Sequence, residues 1–153
     1  MVIAPGTQAP EFTLSDQHGT ELTLSDLVAD GPVALVFFPF AFSGICQGEL
    51  CELRDNISLF EDAQVRLVGI SIDSVFTLKA WADQEGFEFS LLSDFWPHGA
   101  VAEQYGVFIE EAGIATRATV LIGRDGAVAA SFATAPGEAR DLGAYREALQ
   151  HLS

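Results

Sequence analysis

The chain has 153 residues, 49% of them hydrophobic, and a formal net charge of −15. That length and apolar content suffice for one domain over residues 1–153 with a substantial core, and leave no room for a disordered or low-complexity tail. Twenty-two acidic residues against six arginines and one lysine, Lys79, argue against nucleic acid or anionic membrane as partners, and no run of about eighteen apolar residues predicts a membrane span.

The acidity also bears on the medium. At about 1 M salt the Debye length falls to about 3 Å, so a surface this poor in lysine suits a high-salt cytoplasm as well as it suits an ordinary acidic bacterial protein. Met1-Val2-Ile3-Ala4-Pro5 has neither a basic n-region nor a long apolar stretch, which predicts a cytoplasmic protein without a signal peptide. Two cysteines on one predicted helix do not make a secreted disulfide framework; they point to redox or catalytic chemistry. Asn56-Ile57-Ser58 matches a glycosylation sequon but falls inside a predicted helix of a non-secreted chain, and is discounted.

In chain order, Phe12-Thr13-Leu14 and Glu21-Leu22-Thr23-Leu24 alternate in polarity around Asp16-Gln17-His18-Gly19 and predict an amino-terminal hairpin. Ser25-Asp26-Leu27 reads as a capped helical turn. The run Val33-Ala34-Leu35-Val36-Phe37-Phe38, bounded by Gly31-Pro32 and Pro39, predicts a strand buried on both faces. Helical spacing of Leu50, Leu53, Ile57 and Phe60 predicts a helix over 44–62. A second buried strand covers 65–72, and Asp73 or Ser74 caps a helix that runs to about Gln84 and stops near Gly86. An extended piece at 89–92 follows, then a short helix with Pro97 in its first turn that ends before Gly106. Arg124-Asp125-Gly126 is a tight-turn signal that pairs 118–122 with 127–132, and a last helix covers 138–149. The order ββ, βαβα, short helix, ββα predicts an α/β thioredoxin fold, with a parallel crossover at its centre and the first hairpin as an addition.

The chemistry concentrates at Cys46. It stands where the first buried strand hands over to a helix, in that helix's first turn, where outward-pointing N–H groups and the helix dipole favour negative charge. A thiol so placed tends to ionise near neutral pH, and the thiolate is the nucleophile. Free cysteines are also common packing residues; the Pro/Gly-bearing turn favours the nucleophile. Three residues back stands Ser43, where a thioredoxin-type reductase would carry a second cysteine, so a local Cys-x-x-Cys disulfide exchanger is unavailable. The Ser43 hydroxyl can cap the helix, contact a thiolate or bound oxygen, or both.

The pattern Pro39-x-x-x-Ser43-x-x-Cys46 after an apolar strand resembles the peroxiredoxin signature. The stretches 37–50 and 92–101 and Gly113-Ile114-Ala115-x-Arg117 are similar to the alkyl hydroperoxide reductase E subgroup over nearly the whole chain. The resemblance implies a thiol-dependent peroxidase in which Cys46 attacks, Arg117 reaches the sulfur and the peroxide from the far side, and Pro39 shapes and shields the pocket. It also suggests Glu49 as a contact of the arginine network, a role that competes with that of a solvated acid on a helix face. Cys51 departs from the one-cysteine pattern of that subgroup and resembles the resolving thiol of Q-type peroxiredoxins; the competing role is a buried packing cysteine. Five residues along an intact helix separate two Cα atoms by about 8–9 Å, and a disulfide needs less than about 7 Å, so resolution by Cys51 requires the helix start to unwind.

The implied partners are a peroxide, a thioredoxin- or glutaredoxin-like protein or a low-molecular-weight thiol as reductant, and a second copy of the chain in a homodimer. No metal, flavin or haem is required, because the oxidisable sulfur is the protein's own. His18 and His151 read as solvated and His98 as a residue of the site rim. No zinc-ligand spacing and no phosphate-cradling glycine motif is present. Phe37, Phe38, Phe40, Phe42, Phe95, Trp96 and Phe108 cluster around the site in sequence, as core or as a dimer surface. Two other functions compete: a thioredoxin-like disulfide reductase, and a non-enzymatic peroxide sensor or holdase driven by Cys46 oxidation.

Overall fold

A computed structural model describes residues 2–152. The elements follow as β1 (Thr13–Asp16), β2 (Glu21–Thr23), α1 (Leu24–Asp30), β3 (Val33–Phe37), α2 (Gly44–Asp55), α3 (Ser58–Asp62), β4 (Arg66–Ser71), α4 (Val75–Glu85), β5 (Ser90–Ser93), α5 (Ala100–Gln104), β6 (Phe108–Ile109), β7 (Ile114–Ala115), β8 (Arg117–Ile122), β9 (Val128–Thr134) and α6 (Leu142–Leu149). Seven strands form one sheet in the order β2-β1-β5-β4-β3-β8-β9. β3, β4 and β5 are parallel, and β8, β9, β1 and β2 join antiparallel. This is the α/β thioredoxin arrangement read from the element order. The added hairpin, β1–β2, extends the sheet beyond β5 on the side away from β9.

All five residues of β3 are buried, and alternate ones serve different cores. Val33, Leu35 and Phe37 pack with Phe12, Leu14, Tyr105 and Val120 on one face. Ala34 and Val36 pack with Leu53, Phe60, Leu121 and Tyr145 on the other. A third cluster joins Phe38, Cys46 and Leu50 to Leu78, Trp81 and Phe87. The nucleophile candidate is therefore built into a core and not hung on a loop. No helix among the described residues is long and apolar enough to cross a membrane.

Several expected boundaries moved, each for a local reason. The helix expected over 44–62 breaks at Asn56, the C-cap of α2, whose backbone N–H and side-chain amide both donate to the Glu52 carbonyl, at 3.0 and 2.8 Å. The helical turn at Ser25 is a two-turn helix capped by Thr23, whose hydroxyl accepts from the Asp26 N–H. Ser74, not Asp73, caps α4 by accepting from Thr77. Pro97 lies before α5 and not in its first turn; the N-cap is Gly99 at φ 68°, where a Cβ would also overlap the Phe108 ring. The carboxylate of Asp94 supplies the missing cap by accepting from the N–H groups of Val101 and Ala102. The last helix starts at Leu142 and not at 138, because the preceding turn is drawn to α2 by Arg140. The two-residue strands β6 and β7 were not expected.

Candidate active site

The register of β3 against β8 sets the site's frame. Phe37 pairs with Ala118, so Arg117, one residue further, falls level with Phe38 at the end where β3 releases the loop to α2. Arg117 and Thr119 alternate along β8 to the same face of the sheet. Cys46 and Glu49 are three residues apart on α2 and share its inward face with Leu50 and Leu53.

Cys46 is fully buried, with 0% exposure, and one guanidinium N–H of Arg117 donates to its sulfur at 3.2 Å. The same nitrogen donates to Glu49 at 2.7 Å, and the Arg117 Nε–H is fixed by the Pro136 carbonyl at 2.7 Å. Glu49 is thus in the arginine network; the solvated role is ruled out by its burial. Its carboxylate also accepts from the Arg140 backbone N–H at 2.6 Å, the Arg140 Nε–H at 3.0 Å and an Arg140 terminal N–H at 3.0 Å. Arg140 completes its donor set on the Ala118 carbonyl and the Thr119 hydroxyl, and Thr119 donates to the Tyr145 hydroxyl at 3.0 Å.

Burial by itself would raise the Glu49 carboxyl, but the Arg140 hydrogen bonds and charge, and then Arg117, outweigh it and hold Glu49 below the usual carboxylate range. Arg140 shows the complement. Burial works against its charge, and Tyr145 together with the Glu49 contacts more than compensates, so it is held above its ordinary value.

Sequence reasoning assigned no role to Arg140. It lies in no motif, and its partner Glu49 is 91 residues away. The one available signal was scarcity: in a chain with six arginines, each is a candidate for a buried carboxylate.

A shallow apolar depression opens beside the sulfur, lined by Pro39, Ser43, Ile45, Ile114, Arg117 and Pro136 among others. Pro39 is buried in its wall. Ser43 occupies the N-cap position of α2 but makes no side-chain cap bond; its hydroxyl donates to the Phe40 carbonyl at 3.2 Å. The first-turn N–H groups of α2 are therefore left uncapped by Ser43 and have no intrahelical partner. This turn and Arg117 line the depression, while the Cys46 sulfur that Arg117 contacts is itself covered.

Cys51 sits elsewhere. It is half-buried, its thiol donates to Glu85 at 3.3 Å, and Arg54 donates to the Glu85 carbonyl. Burial first, and then the Glu85 hydrogen bond, push its thiol above the ordinary 9.0, with Arg54 opposing. Both cysteines are free, and α2 is helical across both. His98 bonds the Gly113 carbonyl at 2.7 Å and stacks edge-on to Phe108; it does not reach the sulfur cluster. Among the described residues no group of three His, Cys, Asp or Glu side chains could hold a metal ion.

A buried cysteine held by an arginine at the strand-to-helix junction of a thioredoxin-type sheet defines a class of thiol peroxidase. Residues 5–131 match the AhpC/TSA family, and the chain belongs to it. It is a peroxiredoxin, a thiol-dependent peroxidase. Over 148 residues it is 49% identical to alkyl hydroperoxide reductase E of Mycobacterium bovis and of Mycobacterium tuberculosis, with 97% of each chain covered. Among solved structures it matches peroxidoxin BcpB from M. tuberculosis with a TM-score of 0.85 at 34% identity, over 98% of this chain and 96% of that one. It shares its fold with Plasmodium vivax 2-Cys peroxiredoxin at a TM-score of 0.86 and 24% identity, over 97% and 81% of the two chains.

Proposed function

We propose that Cys46 is the peroxidatic sulfur of this enzyme and that Arg117, Glu49, Pro39 and Ser43 form its site. One observation carries the reading: Cys46, Glu49, Arg117 and Arg140 make a single buried hydrogen-bonded cluster. Two guanidinium cations against one carboxylate leave a positive charge, and the cluster becomes neutral only when the sulfur is a thiolate. That positive charge and the Arg117 N–H lie where an attacking sulfur carries its negative charge.

The thiolate electron pair forms a bond to the nearer peroxide oxygen, the O–O bond breaks, and its electrons leave with the far oxygen as hydroxide or alkoxide, which then takes a proton from water. Sulfur is oxidised to a sulfenic acid and the peroxide is reduced. Arg117 and the first-turn N–H groups of α2 hold both oxygens in line and stabilise the departing charge. The Ser43 hydroxyl turns from the Phe40 carbonyl to the bound oxygen, and Pro39 keeps water from the sulfur. Hydrogen peroxide and organic hydroperoxides fit this chemistry, and peroxynitrite fits it with nitrite as the leaving group.

Cys51 resolves the sulfenic acid in this reading: its thiolate displaces the hydroxyl as water and leaves a Cys46–Cys51 disulfide. The amino-terminal half of α2 unwinds first, because the helical spacing keeps the two residues too far apart. A thioredoxin- or glutaredoxin-like protein, or a small thiol, reduces the product. The apolar Phe40, Phe42, Ile45, Phe95 and Trp96 are exposed and support a homodimer through the face that carries the site. The single domain acts in the cytoplasm.

The test is peroxide consumption by wild type, Cys46→Ser and Cys51→Ser with a redoxin regenerating system. Cys46→Ser is expected to be inactive, and its full turnover would overturn the assignment. Mass spectrometry after one equivalent of peroxide decides resolution. A persistent Cys46 sulfenic acid with Cys51 still reduced would leave that step to an external thiol.

A further inference from the structure

Ser74 caps α4, which leaves Asp73 free, and the structure turns it toward the loop that joins β3 to α2. Its carboxylate Oδ2 accepts from the Ala41 backbone N–H at 2.8 Å. The same oxygen accepts from the Ser71 hydroxyl at 2.6 Å, and the Asp73 carbonyl accepts from the Ser93 hydroxyl at 2.6 Å. Asp73 is thus anchored to the ends of β4 and β5 and reaches across to the segment 39–43 that carries Pro39 and Ser43.

That segment has reason to be held. Phe42 sits at φ 68°, a left-handed conformation that a bulky side chain rarely adopts and that persists only when its surroundings impose it. Phe42 is 43% exposed, and its ring lies 6.2 Å from that of Trp81 between centroids. The Ser43–Phe40 hydrogen bond lies within the loop and ties it to nothing else. Cys46 has no exposed surface in this closed arrangement; a peroxide of a few atoms needs only a small shift of the pocket wall to reach it, whereas a thiol carried on a protein or an aromatic ring needs the loop to open.

We propose that Asp73 is a positioning residue for the peroxidatic loop: a carboxylate clasp that holds residues 39–43 closed while Cys46 meets peroxide, and whose release opens the oxidised sulfur to a thiol. The proposal rests on the reading of Cys46 as the attacking sulfur. It assigns the two half-reactions opposite demands on a single hydrogen bond. Attack needs the clasp made, because the pocket wall and the uncapped turn of α2 are then in register with the sulfur. Thiol attack on Cys46–S–OH, which forms a mixed disulfide and releases the hydroxyl with a proton as water, needs it broken.

The experiment uses the full chain in a Cys51→Ser background, so that the external thiol is the only one available. Stopped-flow measurement gives the rate of sulfenic acid formation with hydrogen peroxide, and then the rate of mixed disulfide formation with added thionitrobenzoate. Asp73→Ala is expected to slow the first step roughly 10- to 100-fold through misplacement of the pocket. It is expected to speed the second roughly tenfold or more, the shift that losing one charge-assisted hydrogen bond gives an open–closed equilibrium. Asp73→Asn keeps an oxygen acceptor and is expected to return both rates to within about threefold of the parent. Ser71→Ala, which only disorients the carboxylate, is expected to shift both rates in the directions of Asp73→Ala by less, and it serves if Asp73→Ala does not fold. Unchanged rates, or a parallel fall of both, would overturn the clasp and leave Asp73 a structural residue. Failure of the Cys51→Ser parent to form a sulfenic acid at all would instead strike the reading of Cys46.

Discussion

Replacing Glu49 by glutamine removes one negative charge from beneath two buried guanidinium groups. The wild-type carboxylate accepts four hydrogen bonds, from one Arg117 N–H and three Arg140 N–H groups, and its side chain is 4% exposed, against 3% for Arg117 and 0% for Arg140. Each oxygen faces two donors. A glutamine offers one oxygen and one NH2, so in either orientation the NH2 faces two N–H groups. Removing one partner of a buried ion pair costs about 3–5 kcal/mol. In a chain of this size each kcal/mol is worth about 2–4 °C, so Glu49→Gln is expected to melt about 6–20 °C lower at pH 7.

The difference also carries a pH signature. Glu49 is held below its ordinary 4.5, so its contribution is fully present above the unfolded value and is lost as pH falls through the lower folded one. The gap between wild type and Glu49→Gln is therefore constant from pH 7 down to about 5 and closes in acid. Asp94, which burial pushes up, titrates in both proteins and cancels from the difference. Urea or thermal unfolding of both at a series of pH values is the assay. A loss under about 2 °C at pH 7, or a gap that persists unchanged well below the carboxylate range, would refute the account of the cluster.

Three further expectations follow from other parts of the molecule. Gly69→Ala on β4 would put a Cβ 2.8 Å from the Leu91 side chain and 3.2 Å from the Phe38 ring, and is expected to cost about 1–3 kcal/mol by overpacking, read by denaturant midpoint; an unchanged midpoint would show that the two side chains yield freely. In a Cys46→Ser background, alkylation of Cys51 by iodoacetamide is expected to reach half its maximal rate only above pH 9.0, and Glu85→Ala is expected to move that midpoint down. A midpoint below 9.0 in the parent would contradict the burial and the Glu85 hydrogen bond as its controls. The acidic surface carries few compensating cations, so the melting temperature is expected to rise from low salt to about 1 M, and a fall would remove the high-salt reading.

The place of Cys46 was legible because every feature that marks it is local. An apolar run bounded by prolines, a short turn and helical spacing lie within thirty residues of one another, and each acts through its own backbone. The same locality let the β8–β9 hairpin be read from Asp125-Gly126. Two-residue strands such as β6 and β7 carry too little periodicity to register, and the break at Asn56 depends on a capping side chain that shares the Glu52 carbonyl with its own backbone N–H. Arg117 was reached through a family resemblance and not through its surroundings.

The order of strands and helices, and with it the thiol at a helix start, was written in the chain itself, because hydrophobic periodicity and turn chemistry act over a few residues. What folding alone decided is which charges meet. Arg117 lies 71 residues from Cys46, Arg140 lies 91 from Glu49, and Asp73 lies 32 from Ala41. Such pairs are chosen by strand register and by the cost of burying an ion without its partner, and neither can be computed from neighbours in sequence.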